Sequence, residues 1–261
     1  MGIAEVMAGR TIAAAARFAA RQIDLEVHGL GHVPSSGPVL IVARHAHHLY
    51  DGVALLSAVP RRLHLVVALD WARTRAERAL LEWVVRMARW PALLRPDAFA
   101  DGRSPGAFGR EEIARHRIAA VRLAVDLLAE GAAVVVFPEG YPEVDPRFTP
   151  KTRLGEMLPF RDGFAVIHRL ALRRTGVDVP IVPAGLAYEP GARWRAALRF
   201  GPALSTRAPR EALVRSAESR VAALSAPIAR RGAAAERPSR TAGAEDRSST
   251  AAEEARLGSH G

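Results

Sequence analysis

Apolar residues recur along the chain in two rhythms. Ile23, Leu25 and Val27 alternate with polar neighbours, which predicts a half-buried strand over 23–28, and the continuous apolar run 39–43 predicts a fully buried one. Residues 63–69, 132–137 and 179–182 are further buried-strand candidates, the last bracketed by prolines. Between them the spacing changes to that of helices. Residues 51–58 can open a helix, 75–89 place Leu80, Val84 and Met87 on one side, and 111–130 hold Ile118, Val121, Val125 and Leu128 in register. Helical patterns return at 163–173 and at 209–231, where Leu213, Val221 and Leu224 are the apolar anchors, while 29–37 is rich in turn residues. This alternation of strand and helix predicts an α/β domain whose chemistry sits on loops where strands end.

The two ends read differently. Residues 1–22 form a basic amphipathic helix with Arg10, Arg17 and Arg21 on one face and Ile12, Ala15 and Ala19, continued by Ile23, on the other. Such a helix can lie on anionic membrane or pack on its own domain. Residues 232–261 carry almost no large apolar side chain, which predicts a disordered tail. The expected organisation is therefore a helix over 1–22, a domain over 23–231 and a tail over 232–261.

No apolar run is long enough to span a bilayer, and Glu5, Arg10, Arg17 and Arg21 interrupt any secretory signal, so a cytoplasmic protein is expected. The absence of cysteine excludes disulfides, thiolate metal sites and a cysteine nucleophile. The formal net charge of +10 attracts polyanions, and only Lys151 among the 37 basic residues is lysine. The arginines are scattered, aromatic residues are 6% of the chain and no binding motif appears, so nucleic acid is not the expected partner.

The densest chemical signal is Arg44-His45-Ala46-His47-His48-Leu49-Tyr50-Asp51-Gly52, directly after the 39–43 strand. A histidine beside a carboxylate works as a general base, because the carboxylate fixes the imidazole tautomer and stabilises the imidazolium that forms. His45, His47 and Asp51 can instead supply three metal ligands, as in a metal-dependent hydrolase. A second signal is Phe137-Pro138-Glu139-Gly140, which closes another strand with a carboxylate and a flexible backbone. Two patterns fail on mechanism. Gly102-Arg103-Ser104-Pro105-Gly106 has the spacing of a hydrolase nucleophile elbow, but Pro105 lacks the N–H that such a serine's neighbour must donate. Gly29-Leu30-Gly31 is followed by Val33-Pro34 where a dinucleotide site needs a helix N-terminus, so no nicotinamide or flavin is expected.

Taken in order, the His45–Asp51 block, an arginine block, Phe137-Pro138-Glu139-Gly140 and Val179-Pro180-Ile181-Val182-Pro183 resemble the glycerolipid acyltransferase family, the lysophosphatidate acyltransferases that acylate lysophospholipids or glycerol phosphate. The resemblance covers about residues 20–225. It implies a glycerol-3-phosphate acyltransferase-like fold, an α/β single domain with a mixed central sheet flanked by helices. It also implies transfer of a fatty acyl group from an acyl thioester, acyl-CoA or acyl-ACP as co-substrate with no bound cofactor or metal, to a lysophospholipid or a non-phosphorylated glyceride. Its substrates place the protein peripherally on the anionic inner face of the cell membrane, where Trp83, Val84, Met87 and Trp90 are candidate contacts. His45 takes the role of base and Asp51 that of its partner; Arg95, Glu139, Gly140, Arg44 and His47 are the substrate-binding candidates, with Arg103 as fallback for Arg95.

The chain departs from the family pattern in three places. Arg44 replaces the usual Asn, and five residues rather than four separate His45 from Asp51. That extra residue leaves His47, four before Asp51, as an alternative base. Tyr141-Pro142 replaces Thr-Arg after the second motif, and Arg147, Lys151 and Arg153 downstream are the candidates to restore its charge.

Overall fold

The core begins with the continuous apolar strands, since a strand buried on both faces needs other strands beside it and helices above and below. In the computed structural model, which describes residues 3–100, 106–145, 149–153 and 155–228, β2 (Val39–Ala43) and β6 (Ala133–Val136) are buried throughout and pair in parallel at the centre of a six-stranded sheet. β3 (Leu63–Leu65) pairs in parallel with β6 on one side. On the other, β7 (Ile181–Glu189) runs parallel to β2 and antiparallel to β8 (Trp194–Phe200), and β1 (Ile23–His28) lies parallel to β8 at the edge. The order is β1-β8-β7-β2-β6-β3, a mixed sheet. The tail expected over 232–261 lies outside the described residues, as do Arg103 and Arg147.

Side-chain alternation along β2 divides the interior in two. Leu40 and Val42 face a cluster with Val134, Val136, Leu127, Phe164 and Leu213. That cluster is roofed by α4 (Glu112–Ala129), α5 (Gly163–Thr175) and α6 (Arg210–Leu224). Val39, Ile41 and Ala43 face the opposite way, onto Leu55, Leu65, Leu186 and Phe200. α2 (Tyr50–Ala58) covers that side, with α1 (Ile3–Ala20) packed on it and on α3 (Arg75–Ala88). α6 can approach β7 closely because residue 185 is glycine: a Cβ there would lie 2.3 Å from the Leu224 carbonyl carbon.

Three elements differ from their sequence reading. Residues 63–69 are not one strand. After Val66 N–H donates to Val135, the chain leaves the sheet and β4 (Val67–Ala68) pairs with β5 (Ala92–Leu93) in a separate two-stranded ribbon. The strand expected at 179–182 starts at Ile181 and continues to Glu189, because β8, which the pattern did not reveal, gives it a second partner. α1 turns Ala16, not Ala15, into the interior, and Ala15 stands outside with Arg10, Arg17 and Arg21. Its apolar side is thus occupied within the fold.

Burial on β3 has a consequence for stability. His64 is enclosed, its Nδ1 facing the Arg89 carbonyl at 3.0 Å, and burial above all, helped by the Arg62 and Arg89 charges, pushes its pKa from 6.5 to about 4. The unfolded chain therefore takes up a proton before the folded chain does, so stability falls as pH drops from about 6.5 to 4 and is level above that window. The loss by pH 4 is about 3 kcal/mol for this group. Urea midpoints at pH 7 and pH 4.5 should converge in His64→Gln relative to the parent; an unchanged acid slope would contradict the assignment.

Candidate active site

Because β2 and β6 are parallel neighbours in register, Val42 opposite Val136, their carboxyl ends deliver Arg44-His45 and Phe137-Pro138-Glu139 to the same place. That edge is where open α/β sheets hold ligands. His45 stacks on Phe137, ring centroids 4.6 Å apart, and its Nδ1 lies 2.9 Å from Asp51 Oδ2. The carboxylate accepts, so Nδ1 carries the proton and Nε2 keeps its lone pair. No hydrogen-bond partner of Nε2 occurs among the described residues, and the ring lines a cavity.

Asp51 sits in the first turn of α2, where a carboxylate complements the helix dipole. Its Oδ2 also accepts the Ala46 N–H at 2.7 Å and the His47 N–H at 3.0 Å. Residues 45–47 thus curl around one oxygen atom, which brings His45 to Asp51 despite the extra residue between them. The buried Tyr188 phenol on β7 adjoins the same carboxylate; burial first, then the Asp51 charge, pushes its pKa well above the ordinary phenol range.

His47 is placed elsewhere. Its Nδ1 accepts the Leu49 and Tyr50 N–H groups at 3.2 and 3.3 Å, capping α2, and its ring packs among His48, Tyr50, Tyr188 and Trp194. Burial, then the neighbouring His48 charge, lowers its pKa. His47 does not line the cavity; exposed His48 does, with Nδ1 facing the Val144 carbonyl. This also removes the three-ligand metal arrangement: among the described residues no group of three or more His, Cys, Asp or Glu side chains is disposed to hold a metal ion.

The other candidates separate into two sets. Gly140 and Arg95 line the cavity. Gly140 takes φ +76°, which only glycine adopts without strain, and its N–H closes a turn onto Phe137. Arg95 stands at the end of β5 and joins Asp70 through Nε and Nη2, the latter at 2.7 Å, while Nη1 donates to the Gly140 carbonyl at 2.8 Å. Its guanidinium lies 4.0 Å above the Tyr141 ring centroid.

Arg44 and Glu139, expected to touch substrate, do not line the cavity. Arg44 is buried and paired with Glu143 at 2.7 Å, because the loop that follows Gly140 folds back beside it. Glu139 is wholly enclosed: Oε1 accepts the His45 N–H at 2.7 Å, and Oε2 accepts from Lys151 Nζ at 2.6 Å and Leu158 N–H at 2.9 Å. Lys151, proposed from sequence as a spare phosphate ligand, is equally enclosed and donates to the His45 carbonyl at 2.7 Å. Sequence reasoning named it for its position downstream of Gly140; the one sign of a different role was its being the only lysine in an arginine-rich chain.

The cavity occupies about 1220 Å³ and is lined by His45 together with residues of the β4–β5 ribbon and helices α3, α4 and α5. Leu65, Val85, Leu94, Val125, Phe164 and Ile167 form part of its apolar wall. Its size exceeds the roughly 300–1,000 Å³ of ordinary small-molecule sites. Leu49, Trp71 and Ile118 line it while remaining substantially exposed, so Ile118, read as a core position, belongs to the rim.

The acyltransferase family's sequence profile matches residues 24–187. Among solved structures the fold is similar to the crystal structure of the 1-acyl-sn-glycerophosphate (LPA) acyltransferase PlsC from Thermotoga maritima. That match has a TM-score of 0.52 and 17% sequence identity, over 85% of this chain and 81% of that one. No curated protein sequence matches the chain.

Proposed function

Since the chain belongs to the acyltransferase family, we propose that it moves a fatty acyl group from acyl-CoA or acyl-ACP to a hydroxyl of a lysophospholipid, with His45 as general base and Asp51 as its partner. The observation that carries this reading is the His45–Asp51 pair in the wall of a large, mostly apolar cavity. A flexible hydrocarbon chain fits such walls, and a base among them can meet the carbonyl that terminates the chain. His45 Nε2 removes the acceptor's hydroxyl proton as its oxygen bonds to the thioester carbon. The C–S bond then breaks, and the same nitrogen returns the proton to the departing thiolate. Asp51 holds the ring and stabilises the imidazolium between the two steps. Direct transfer requires no acyl-enzyme, which agrees with the absence of cysteine.

The acceptor reading draws on the similar fold of an enzyme named for 1-acyl-sn-glycerophosphate, and on Arg95 beside Gly140 as a ligand for a headgroup. Membrane contact is part of the proposal. Among the described residues no helix is long and apolar enough to cross a membrane. The exposed Trp71 and Ile118 at the cavity rim, with Leu80 and Trp83 on the outer side of α3, suit an interface where aromatic rings and arginines rest among headgroups.

The test is thiol release from oleoyl-CoA by purified protein, with lysophosphatidate or monoacylglycerol presented in anionic vesicles. Release that depends on lysophosphatidate is expected. Equal release without any acceptor would replace transfer with thioester hydrolysis, and release with monoacylglycerol alone would replace the phosphorylated acceptor.

A further inference from the structure

We propose that Lys151 is a positioning residue for the reaction: with Glu139 it closes a ring of hydrogen bonds around the backbone of His45 and so fixes the base against Asp51. The ring is complete. His45 N–H donates to Glu139 Oε1 at 2.7 Å, Glu139 Oε2 meets Lys151 Nζ at 2.6 Å, and Lys151 Nζ donates to the His45 carbonyl at 2.7 Å. Both side chains have 0% exposure, so neither reaches solvent or substrate and each charge depends on the other.

The segment that carries Lys151 is anchored for this task. Thr149 Oγ1 donates to the Pro142 carbonyl at 2.5 Å and accepts the Lys151 N–H at 3.2 Å, so the chain beyond Gly140 is drawn back under the loop that bears His45. Leu158 N–H, further along, returns to Glu139 Oε2.

The chemistry explains why lysine stands here in a chain that otherwise uses arginine. An ammonium is a compact charge with three donors on a flexible stem, able to serve a carboxylate and a carbonyl within one closed space. A planar guanidinium is larger and forks toward two oxygens of one group. His45 lies in an irregular loop between strand and helix, where no ladder or helical hydrogen bond holds its peptide groups. Glu139 and Lys151 supply that restraint from the neighbouring strand's loop, and side-chain contact with Phe137 and Asp51 then fixes the ring. An error of about 1 Å in the placement of a catalytic group costs on the order of 10² in rate.

The inference rests on His45 being the base, and its test has a readout that does not. In Lys151→Met, kcat per folded molecule should fall about 10²-fold with KM within about twofold, the signature of a displaced catalytic group rather than a lost substrate contact. In parallel, the downfield proton of His45 Nδ1–H, assigned in histidine-labelled protein as the line lost in Asp51→Asn, should shift upfield and exchange faster with water. This measurement needs no turnover, so failure of the parent to transfer acyl groups would count against the proposed function alone. A folded variant with kcat within threefold, or one whose loss only tracks the folded fraction while the Nδ1–H line stays in place, overturns the role of Lys151. Should Lys151→Met not fold, the double variant Glu139→Gln/Lys151→Met removes both buried charges while keeping an acceptor for the His45 N–H, and the same criteria apply to it. Failure of the double variant to fold would assign the pair to the fold alone and overturn the proposal.

Discussion

Replacing His45 with alanine should lower kcat about 10² to 10⁴-fold, the range that general-base assistance supplies, while the protein stays folded. The ring is 18% exposed and makes one hydrogen bond, to Asp51, and one stacking contact, with Phe137; its backbone contacts to Glu139 and Lys151 survive the substitution. Loss of structure is therefore a small part of the expected effect. Asp51→Asn should cost transfer as well, because the carboxylate both orients Nδ1–H and gathers the N–H groups of Ala46 and His47. His47→Ala is the informative contrast. It removes the acceptor that caps α2 and a ring packed among aromatic neighbours, so stability should fall, by about 1 kcal/mol for the cap alone, while turnover per folded molecule persists. Thiol release and thermal unfolding measured on all three variants decide the matter. An active His45→Ala enzyme would remove His45 as the base, and an inactive but stable His47→Ala enzyme would transfer the role to His47.

The competition between those two histidines shows how far the sequence could be read. The residue types and their place after a buried strand were legible because continuous apolar runs mark central strands, and chemistry collects at their carboxyl ends. The pairing was not. Counting four residues back from Asp51 assumes a helix, whereas residues 45–47 curl around Asp51 Oδ2 in an irregular loop, a geometry set by hydrogen bonds that no spacing encodes. Glu139 was visible as a carboxylate at a strand end, yet its partner lies twelve residues on, and only the folded loop shows that the pair serves the backbone of His45 and not the substrate. The same limit applies to larger elements. The apolar run 63–69 gives no sign of its division between two sheets, because the switch depends on Pro91 and Leu93 offering carbonyls to Val67 and Leu69. Ile118 matches the core register of α4 by period alone, and the cavity beneath it turns that position into rim.

Removing the carboxylate of Asp70 should be among the costliest single changes to stability, about 3–5 kcal/mol in Asp70→Asn. Asp70 follows β4 and Arg95 follows β5, so the pair closes the carboxyl ends of the two-stranded ribbon, and Arg95 Nη1 then ties that ribbon to Gly140. Asp70 is almost fully buried and accepts the Arg95 backbone N–H as well as the guanidinium. Without it the guanidinium keeps its Gly140 carbonyl and the Tyr141 ring but loses its counter-charge, and an unpaired buried charge costs far more than an absent pair. The melting temperature should fall by about 6–20 °C, at about 2–4 °C per kcal/mol for a domain of this size. Asp70→Leu combined with Arg95→Met should recover most of that loss, since neither charge is then left alone. The double variant also separates two roles for Arg95. If the guanidinium binds a phosphorylated headgroup besides bracing the ribbon, the restored protein will show a raised KM for lysophosphatidate and an unchanged KM for monoacylglycerol. Equal KM values for both acceptors, before and after the change, would confine Arg95 to the brace and place recognition of the headgroup elsewhere on the rim.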